Sequence, residues 1–183
     1  MSERIKKITL GGLFLALSIL LPYMAHLSRT PEIGKIFLPM HLPVMLAAML
    51  IGPAYGAVLG IAAPFLSFML TGGIMPPIMP EGIALSAELC VCALIGGFLY
   101  YRKHQNIFIS MTAMILTGKL VSGTMRWLLW LTLSGIFELK FGLRMFLTTA
   151  FVQGGTGIMI QIVLIPAVIA IYQSLAKRRS QPD

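Results

Sequence analysis

The sequence predicts an all-α integral membrane bundle of six transmembrane helices with both termini in the cytoplasm. Of its 183 residues, 57% are hydrophobic and only 11% are charged, and the mean hydropathy is +0.89. A soluble domain carries roughly 25% charged residues, because its surface must be solvated. At ~20 residues per spanning helix, the length allows about six spans. We therefore expect a single transmembrane domain over residues 1–183.

The apolar runs give the order of the spans. They cover residues 8–27, 41–51, 55–71, 83–101, 107–136 and 144–175. The second run is too short for a straight crossing, which leaves five spans as the alternative count. Residues 72–81 hold two glycines and three prolines, so they cannot be regular helix throughout. This segment is either a lid over an outer pocket or a stiff connector.

The basic residues predict the orientation. With six spans, the segments on the side of the termini hold eight Lys and Arg, at residues 4–7, 102–103 and 177–179, and the opposite loops hold four. Such an excess marks the cytoplasmic side. The clusters bracket apolar runs and form no continuous basic surface, so the net charge of +8 does not indicate nucleic-acid binding.

Three ionisable residues, Glu88, Lys119 and Arg126, lie well inside the predicted spans. A charge in mid-bilayer costs at least ~2.5–3.5 kcal/mol, so it usually marks an internal pair or a substrate path. The helical rise places Glu88 and Lys119 at nearly the same depth. They form either a structural ion pair or part of a ligand site. Arg126 lies two turns beyond Lys119, closer to the outside, and suits a carboxylate or phosphate. Its alternatives are snorkelling to the surface or pairing with Glu88.

Further candidates for substrate binding lie towards the outer side. His41 opens the second span and either contacts a ligand or has a structural role. Trp127 and Trp130 form either a stacking wall for a ligand or part of the interfacial aromatic belt. Gln153 and Gln161 lie in the sixth predicted span, where each bonds a neighbouring helix or the substrate.

Of these two glutamines, Gln153 is the better candidate because it is nearer the outer end. Met75 belongs to the proline-rich segment, which is either a lid over an outer pocket or a stiff connector. We find no phosphate-binding loop, no metal motif and no nucleophile with an adjacent base. The sequence therefore predicts no enzymatic activity, no cofactor and no metal site. Gly12 and Ala16 are small residues four apart, a spacing that permits close approach of another helix.

Three stretches resemble the substrate-binding S components of energy-coupling factor (ECF) vitamin transporters. They are LPMHLPVMLAAMLIGPAYGAVLGIAAPFLS at residues 38–67, GGIMPPIMPEGIALSAELCVCALIGGFLYYRK at residues 72–103 and MILTGKLVSG at residues 114–123. In the last stretch the resemblance leads us to expect arginine in place of Lys119. Lysine keeps the charge but weakens a bidentate carboxylate contact.

The resemblance implies a six-helix subunit of a prokaryotic cell membrane that binds a vitamin or its precursor from outside. It implies two kinds of partner, a transmembrane coupling subunit and two cytoplasmic ATPases, with Gly12 and Ala16 on the docking face. It also implies that the loaded subunit rotates in the membrane to release its substrate inward. A cationic site near aromatic residues fits pantothenate, a phosphorylated or carboxylated vitamin, or a flat heteroaromatic precursor such as a benzimidazole. Among these, pantothenate is our first candidate because its carboxylate suits Arg126. The alternative function is a stand-alone ion-coupled secondary transporter of a small polar metabolite, with the Glu88–Lys119 pair serving proton coupling.

Overall fold

Six α-helices account for most of the residues that the computed structural model describes, which are 2–27, 40–71, 81–133 and 155–179. They are α1 (Glu3–Leu27), α2 (His41–Leu50), α3 (Pro53–Leu70), α4 (Ile83–Gly97), α5 (Ile107–Leu133) and α6 (Gly155–Arg179), and a π-helical turn (Phe98–Arg102) extends α4. All except α2 contain a stretch long and apolar enough to cross a membrane. The prediction of an all-α membrane bundle is confirmed for these ranges, with five of the six predicted spans at full length.

Helix α2 is the centre of the bundle. Its ten residues rise only about 15 Å, half of the ~30 Å hydrocarbon core. Eight of the ten are buried, from His41 to Met49, so the helix is covered on all sides. A helix that is apolar all round needs such cover. It is packed against α1, α3, α4 and α6.

Hydrogen bonds between helix ends fix the direction of the helices. Lys7 Nζ, near the start of α1, donates to the hydroxyl of Tyr101 at 2.9 Å. Gln173 Nε2, near the end of α6, donates to the hydroxyl of Tyr100 at 2.9 Å. The beginning of α1 and the end of α6 therefore lie at the same end of the bundle, beside the π-helical turn. We call this the basic end.

A tight turn joins α2 to α3 at the basic end. Gly52 has φ +124°, which side chains with a Cβ rarely adopt. Its open side faces the ring of Tyr101, 3.5 Å from the position that a Cβ would take. Pro53 follows at the first position of α3, where its missing N–H costs no helical hydrogen bond. The turn thus places α2 and α3 antiparallel, with α2 running from the buried interior to the basic end.

Candidate functional site

A buried cluster of three ionisable residues lies between α2, α4 and α5. Lys119 Nζ lies 2.6 Å from Glu88 Oε1, and His41 Nε2 lies 3.3 Å from the same oxygen. The side chains of Glu88 and His41 are 3% and 5% exposed, and that of Lys119 is 14% exposed. The predicted Glu88–Lys119 ion pair is thus present, and His41 joins it. We call these three residues the inner cluster.

Close packing of α4 against α5 positions the inner cluster. A Cβ at Gly118 would overlap Cys92 Sγ and would come within 3.4 Å of Glu88 Cγ. The Cys92 thiol also donates a hydrogen bond to the carbonyl oxygen of Met114, with 3.1 Å between sulfur and oxygen. Because the backbones of α4 and α5 approach so closely here, the Lys119 side chain reaches the Glu88 carboxylate without distorting either helix. Counting from the basic end, Glu88 lies about 21 Å up α4, near the middle of a bilayer.

His41 is not fully satisfied by its neighbours. Its approach to Glu88 does not have the direction of a hydrogen bond, and neither ring nitrogen has a hydrogen-bond partner among the described residues. Gln161 on α6 is 2% exposed, and its Nε2 likewise has no partner within the described ranges. Buried polar groups are normally hydrogen-bonded, so unpaired ones need an explanation. Gln161 lies twelve residues from Gln173, or about 18 Å from the basic end, at the level of the inner cluster.

A second ion pair lies two helical turns further from the basic end. Arg126 donates through NH2 and Nε to Glu81 Oε2, at 3.0 and 3.2 Å. It also donates through NH1 to the hydroxyl of Ser122, one turn earlier on α5. We call Arg126 and Glu81 the outer pair. Arg126 thus pairs with Glu81, a carboxylate outside the predicted spans, and not with Glu88. Glu81 lies two residues before the first residue of α4.

The two pairs differ in burial, and therefore in strength. Glu88 is almost fully enclosed, whereas Glu81 is 46% exposed and Arg126 is 18% exposed. Exposed ion pairs contribute about 0–1 kcal/mol, because solvent screens them and two side chains must be ordered. Removing one partner of a buried pair costs about 3–5 kcal/mol. The outer pair is thus expected to contribute less to stability than the inner one.

The remaining site predictions fall at the edge of the described structure or beyond it. Trp127 is 51% exposed, which fits an interfacial aromatic belt better than a stacking wall. Trp130 lies on α5, but its side chain is outside the described part of the structure. Met75 and Gln153 also lie outside the described residues, as does segment 72–80.

One face of α1 carries the predicted docking residues. Gly12 and Ala16 are both exposed, and a Cβ at Gly12 would meet no atom within 4 Å. The opposite face packs into the bundle through Phe14 and Ser18, which are 7% and 0% exposed. The small-residue face is thus open within the described chain, as an approaching helix would require.

The inner cluster and the outer pair together offer polar contacts without an excess of charge. One lysine and one arginine each have a carboxylate partner, and the unpaired hydrogen-bonding capacity comes from His41 and Gln161. Among the described residues, no group of three or more His, Cys, Asp or Glu side chains is placed to hold a metal ion. This arrangement suits recognition of a polar molecule that carries an anionic group.

The fold and the site together define a polytopic helical membrane protein with an ion-paired, partly unsatisfied polar interior. The family model of the ECF transporter substrate-specific component matches residues 6–170. Searches of curated proteins and of solved structures gave no match. The chain belongs to the family of ECF transporter substrate-specific components.

Membership in this family accounts for the general character of the molecule. It is a multi-pass plasma-membrane protein of prokaryotes with a role in vitamin-type uptake. Substrate-specific components bind the substrate of a transporter and are not enzymes. The family also implies interaction with coupling and ATPase subunits and with a small-molecule substrate.

Proposed function

We propose that this chain captures a vitamin or vitamin precursor with an anionic group from outside the cell, for ATP-driven uptake by partner subunits. The observation that supports this most directly is the outer pair. Arg126 is positioned by Ser122 and by a half-exposed Glu81, whereas the inner cluster is enclosed. A guanidinium held in place by a weak partner is suited to exchange that partner for a ligand carboxylate.

Binding at Arg126 would proceed by replacement of Glu81. The ligand carboxylate takes the two N–H donors that now point to Glu81, and Glu81 is released to water. Because one carboxylate replaces another on Arg126, the arginine remains paired. The released Glu81 side chain is already half exposed to solvent. Pantothenate, with one carboxylate, one amide and hydroxyl groups, fits this requirement.

The polar part of such a ligand would meet the inner cluster. His41 and Gln161 present nitrogens without partners in the described structure, at the level of Glu88 and Lys119. A hydroxyl or amide that satisfied them would remove the cost of leaving buried polar groups unpaired. Further contacts on the ligand's outer side are predicted from the sequence for Met75, Trp130 and Gln153.

The exposed face of α1 is our candidate for docking to the coupling subunit. Gly12 and Ala16 lie on one side of the helix with nothing above Gly12. Small residues let another backbone approach closely, which is how membrane helices associate without a hydrophobic driving force. In this proposal, the ATPases act on the coupling subunit, and the loaded chain rotates to release its ligand inward.

Binding measurements with Arg126→Ala test the substrate site. Mass spectrometry of the small molecule that copurifies with the protein would first identify the ligand, with pantothenate as the initial candidate. Arg126→Ala should then weaken its binding by at least ~10-fold, because charge-assisted hydrogen bonds are lost. Arg4→Ala, an exposed arginine near the basic end, is the control and should bind normally. Normal affinity in a folded Arg126→Ala protein would remove Arg126 from the site.

A second function, ion-coupled secondary transport, is favoured by one observation. His41 lies beside the buried Glu88 carboxylate and has nitrogens free of hydrogen bonds in the described structure, as a proton acceptor would. Uptake by cells that express this chain without any ATPase partner would support that function. Loss of uptake when the ATPases are removed would support capture for an ATP-driven importer.

A further inference from the structure

A second concave region lies at the basic end, about 20 Å from the inner cluster. It is a cleft of about 690 Å³, a volume within the range of small-molecule sites. Met49 and Leu50, at the end of α2, form part of its wall. Its other lining residues are polar or aromatic: Tyr100, Tyr101, His104, Gln105, Tyr172 and Gln173. We call it the tyrosine cleft. The proposed transport function does not use it.

The two adjacent tyrosines reach the cleft through the π-helical turn. In an α-helix, consecutive side chains diverge by about 100°, since there are 3.6 residues per turn. The π-helical turn over Phe98–Arg102 is wider, so Tyr100 and Tyr101 diverge less and both line the cleft. π-Helical turns of this kind are often found at functional sites.

Both phenols are held by donors from other helices. Gln173 Nε2 donates to the Tyr100 hydroxyl and Lys7 Nζ donates to the Tyr101 hydroxyl, each at 2.9 Å. Each phenol oxygen therefore acts as an acceptor in these bonds, which leaves its own O–H as a donor for another group. The structure thus fixes two hydroxyl donors side by side.

His104 has a backbone conformation that its side chain disfavours. Its φ is +51°, in the left-handed region where glycine or asparagine normally ends a helix. The Gln105 N–H donates to the Leu99 carbonyl at 3.0 Å and closes this turn. A glycine at position 104 would satisfy the same turn without strain. Strain that is retained where a relaxed residue would serve points to a role for the side chain, and the imidazole lines the cleft.

The chemistry of the cleft selects an anion. Phenol, imidazole and amide donors line it, and Lys7 adds a positive charge at its edge. No carboxylate lines the cleft within the described part of the chain. We propose that the tyrosine cleft binds an anionic phosphate group, carried either by a lipid headgroup or by a soluble phosphate ester. The basic end is the one predicted to be cytoplasmic, where anionic headgroups attract basic residues.

Native mass spectrometry of the purified full-length protein tests this proposal. The probes are phosphatidylglycerol, zwitterionic phosphatidylcholine and soluble glycerol 3-phosphate. We expect tighter binding of phosphatidylglycerol than of phosphatidylcholine. Binding of glycerol 3-phosphate as well would show that the phosphate group is sufficient and that soluble esters are ligands. Binding of phosphatidylglycerol alone would identify a lipid headgroup site.

Variants of the cleft residues distinguish a specific binding site from general electrostatic attraction of anions to the basic end. Tyr100→Phe with Tyr101→Phe should weaken binding of the anionic probe at least ~10-fold, because two donors to a charged group are removed. His104→Gly should weaken it while leaving the melting temperature equal or higher, since it relieves the left-handed strain. Tyr23→Phe, a half-exposed tyrosine on the far part of α1, is the matched control.

Three results would overturn the proposal. They are equal binding of phosphatidylglycerol and phosphatidylcholine, no binding of any probe, and anion binding that none of the cleft variants changes. If the double phenylalanine variant does not fold, each single substitution and His104→Gly provide the same test. A His104→Gly protein that is more stable and binds the anionic probe normally would also exclude the imidazole from the site.

Discussion

Replacing Lys119 with methionine should destabilise the protein by about 3–5 kcal/mol, the cost of removing one partner from a buried ion pair. Glu88 would then lose its cationic partner in an enclosed site, where its side chain is 3% exposed. At 2.6 Å, and with an effective dielectric constant of ~20, the lost attraction is about 6 kcal/mol. Methionine regains part of this by filling the same space without a charge to desolvate. His41, 3.3 Å from the carboxylate, is the partner that remains.

A double-mutant cycle isolates the pair from these other effects. The free energy of unfolding would be measured, by heat and by denaturing detergent, for Glu88→Gln, Lys119→Met and the combined variant. Glu88→Gln leaves the ammonium of Lys119 buried without its carboxylate, so it should also destabilise. The combined variant has no buried charge left and should recover most of the loss, because a buried pair is often nearly neutral against apolar replacements. The two single losses together should therefore exceed the loss of the combined variant by at least ~3 kcal/mol, which is the coupling energy.

Lys103→Met is the control for removing an ammonium. Lys103 is exposed, and its Nζ lies 5.5 Å from the ring centre of Phe98, so its loss should change stability by no more than ~0.5 kcal/mol. Additive single changes, with a coupling below ~0.5 kcal/mol, would refute the reasoning. That result would mean that Glu88 and Lys119 do not interact in the folded protein.

Three further predictions follow from the same contacts. Glu81→Gln should raise affinity for an anionic ligand about 2–5-fold in a binding titration, because the competitor on the outer pair contributes only about 0.5–1 kcal/mol; weaker binding would mean that Glu81 contacts the ligand itself. Gly118→Ala should lower stability by ~1–3 kcal/mol through overpacking, measured as a lower melting temperature. The control is Gly155→Ala, whose added Cβ would meet no atom within 4 Å and should not lower the melting temperature. Gly12→Leu combined with Ala16→Leu should reduce copurification with the coupling subunit while ligand binding persists. The control Gly155→Leu should leave copurification unchanged. Full copurification of the double variant would place the docking face elsewhere.

The sequence predicted the helices better than it predicted their lengths. Composition and the spacing of apolar runs located the helices that the structure describes, because a membrane leaves few alternatives to a helix. The start of α1 was placed at residue 8, but the helix begins at Glu3. Its first turn gains a 3.0 Å ion pair between Glu3 and Lys6 and an acidic residue at the helix N-terminus. Apolar periodicity cannot detect such a polar first turn.

The sequence also predicted the Glu88–Lys119 pair, because helical rise alone brings two charges on neighbouring helices to one level. It did not predict the Arg126–Glu81 pair. Glu81 follows a proline-rich segment and lies outside the apolar run, so its closeness to α5 depends on how α4 packs rather than on any local pattern. The left-handed conformation of His104 could not be predicted either, because the usual signal for that turn is a glycine or asparagine.

The contrast between the two pairs explains how one interior can be both stable and receptive. A site with two enclosed ion pairs would hold its shape but would resist a charged ligand, since displacing either partner would cost several kcal/mol. A site with two exposed pairs would exchange readily but would position nothing. Here the enclosed Glu88–Lys119 pair joins α4 to α5 in mid-membrane, and the half-exposed Glu81 occupies Arg126 two turns above it. In the proposed capture mechanism, the first pair keeps the helices in register while the second exchanges its carboxylate for that of the ligand.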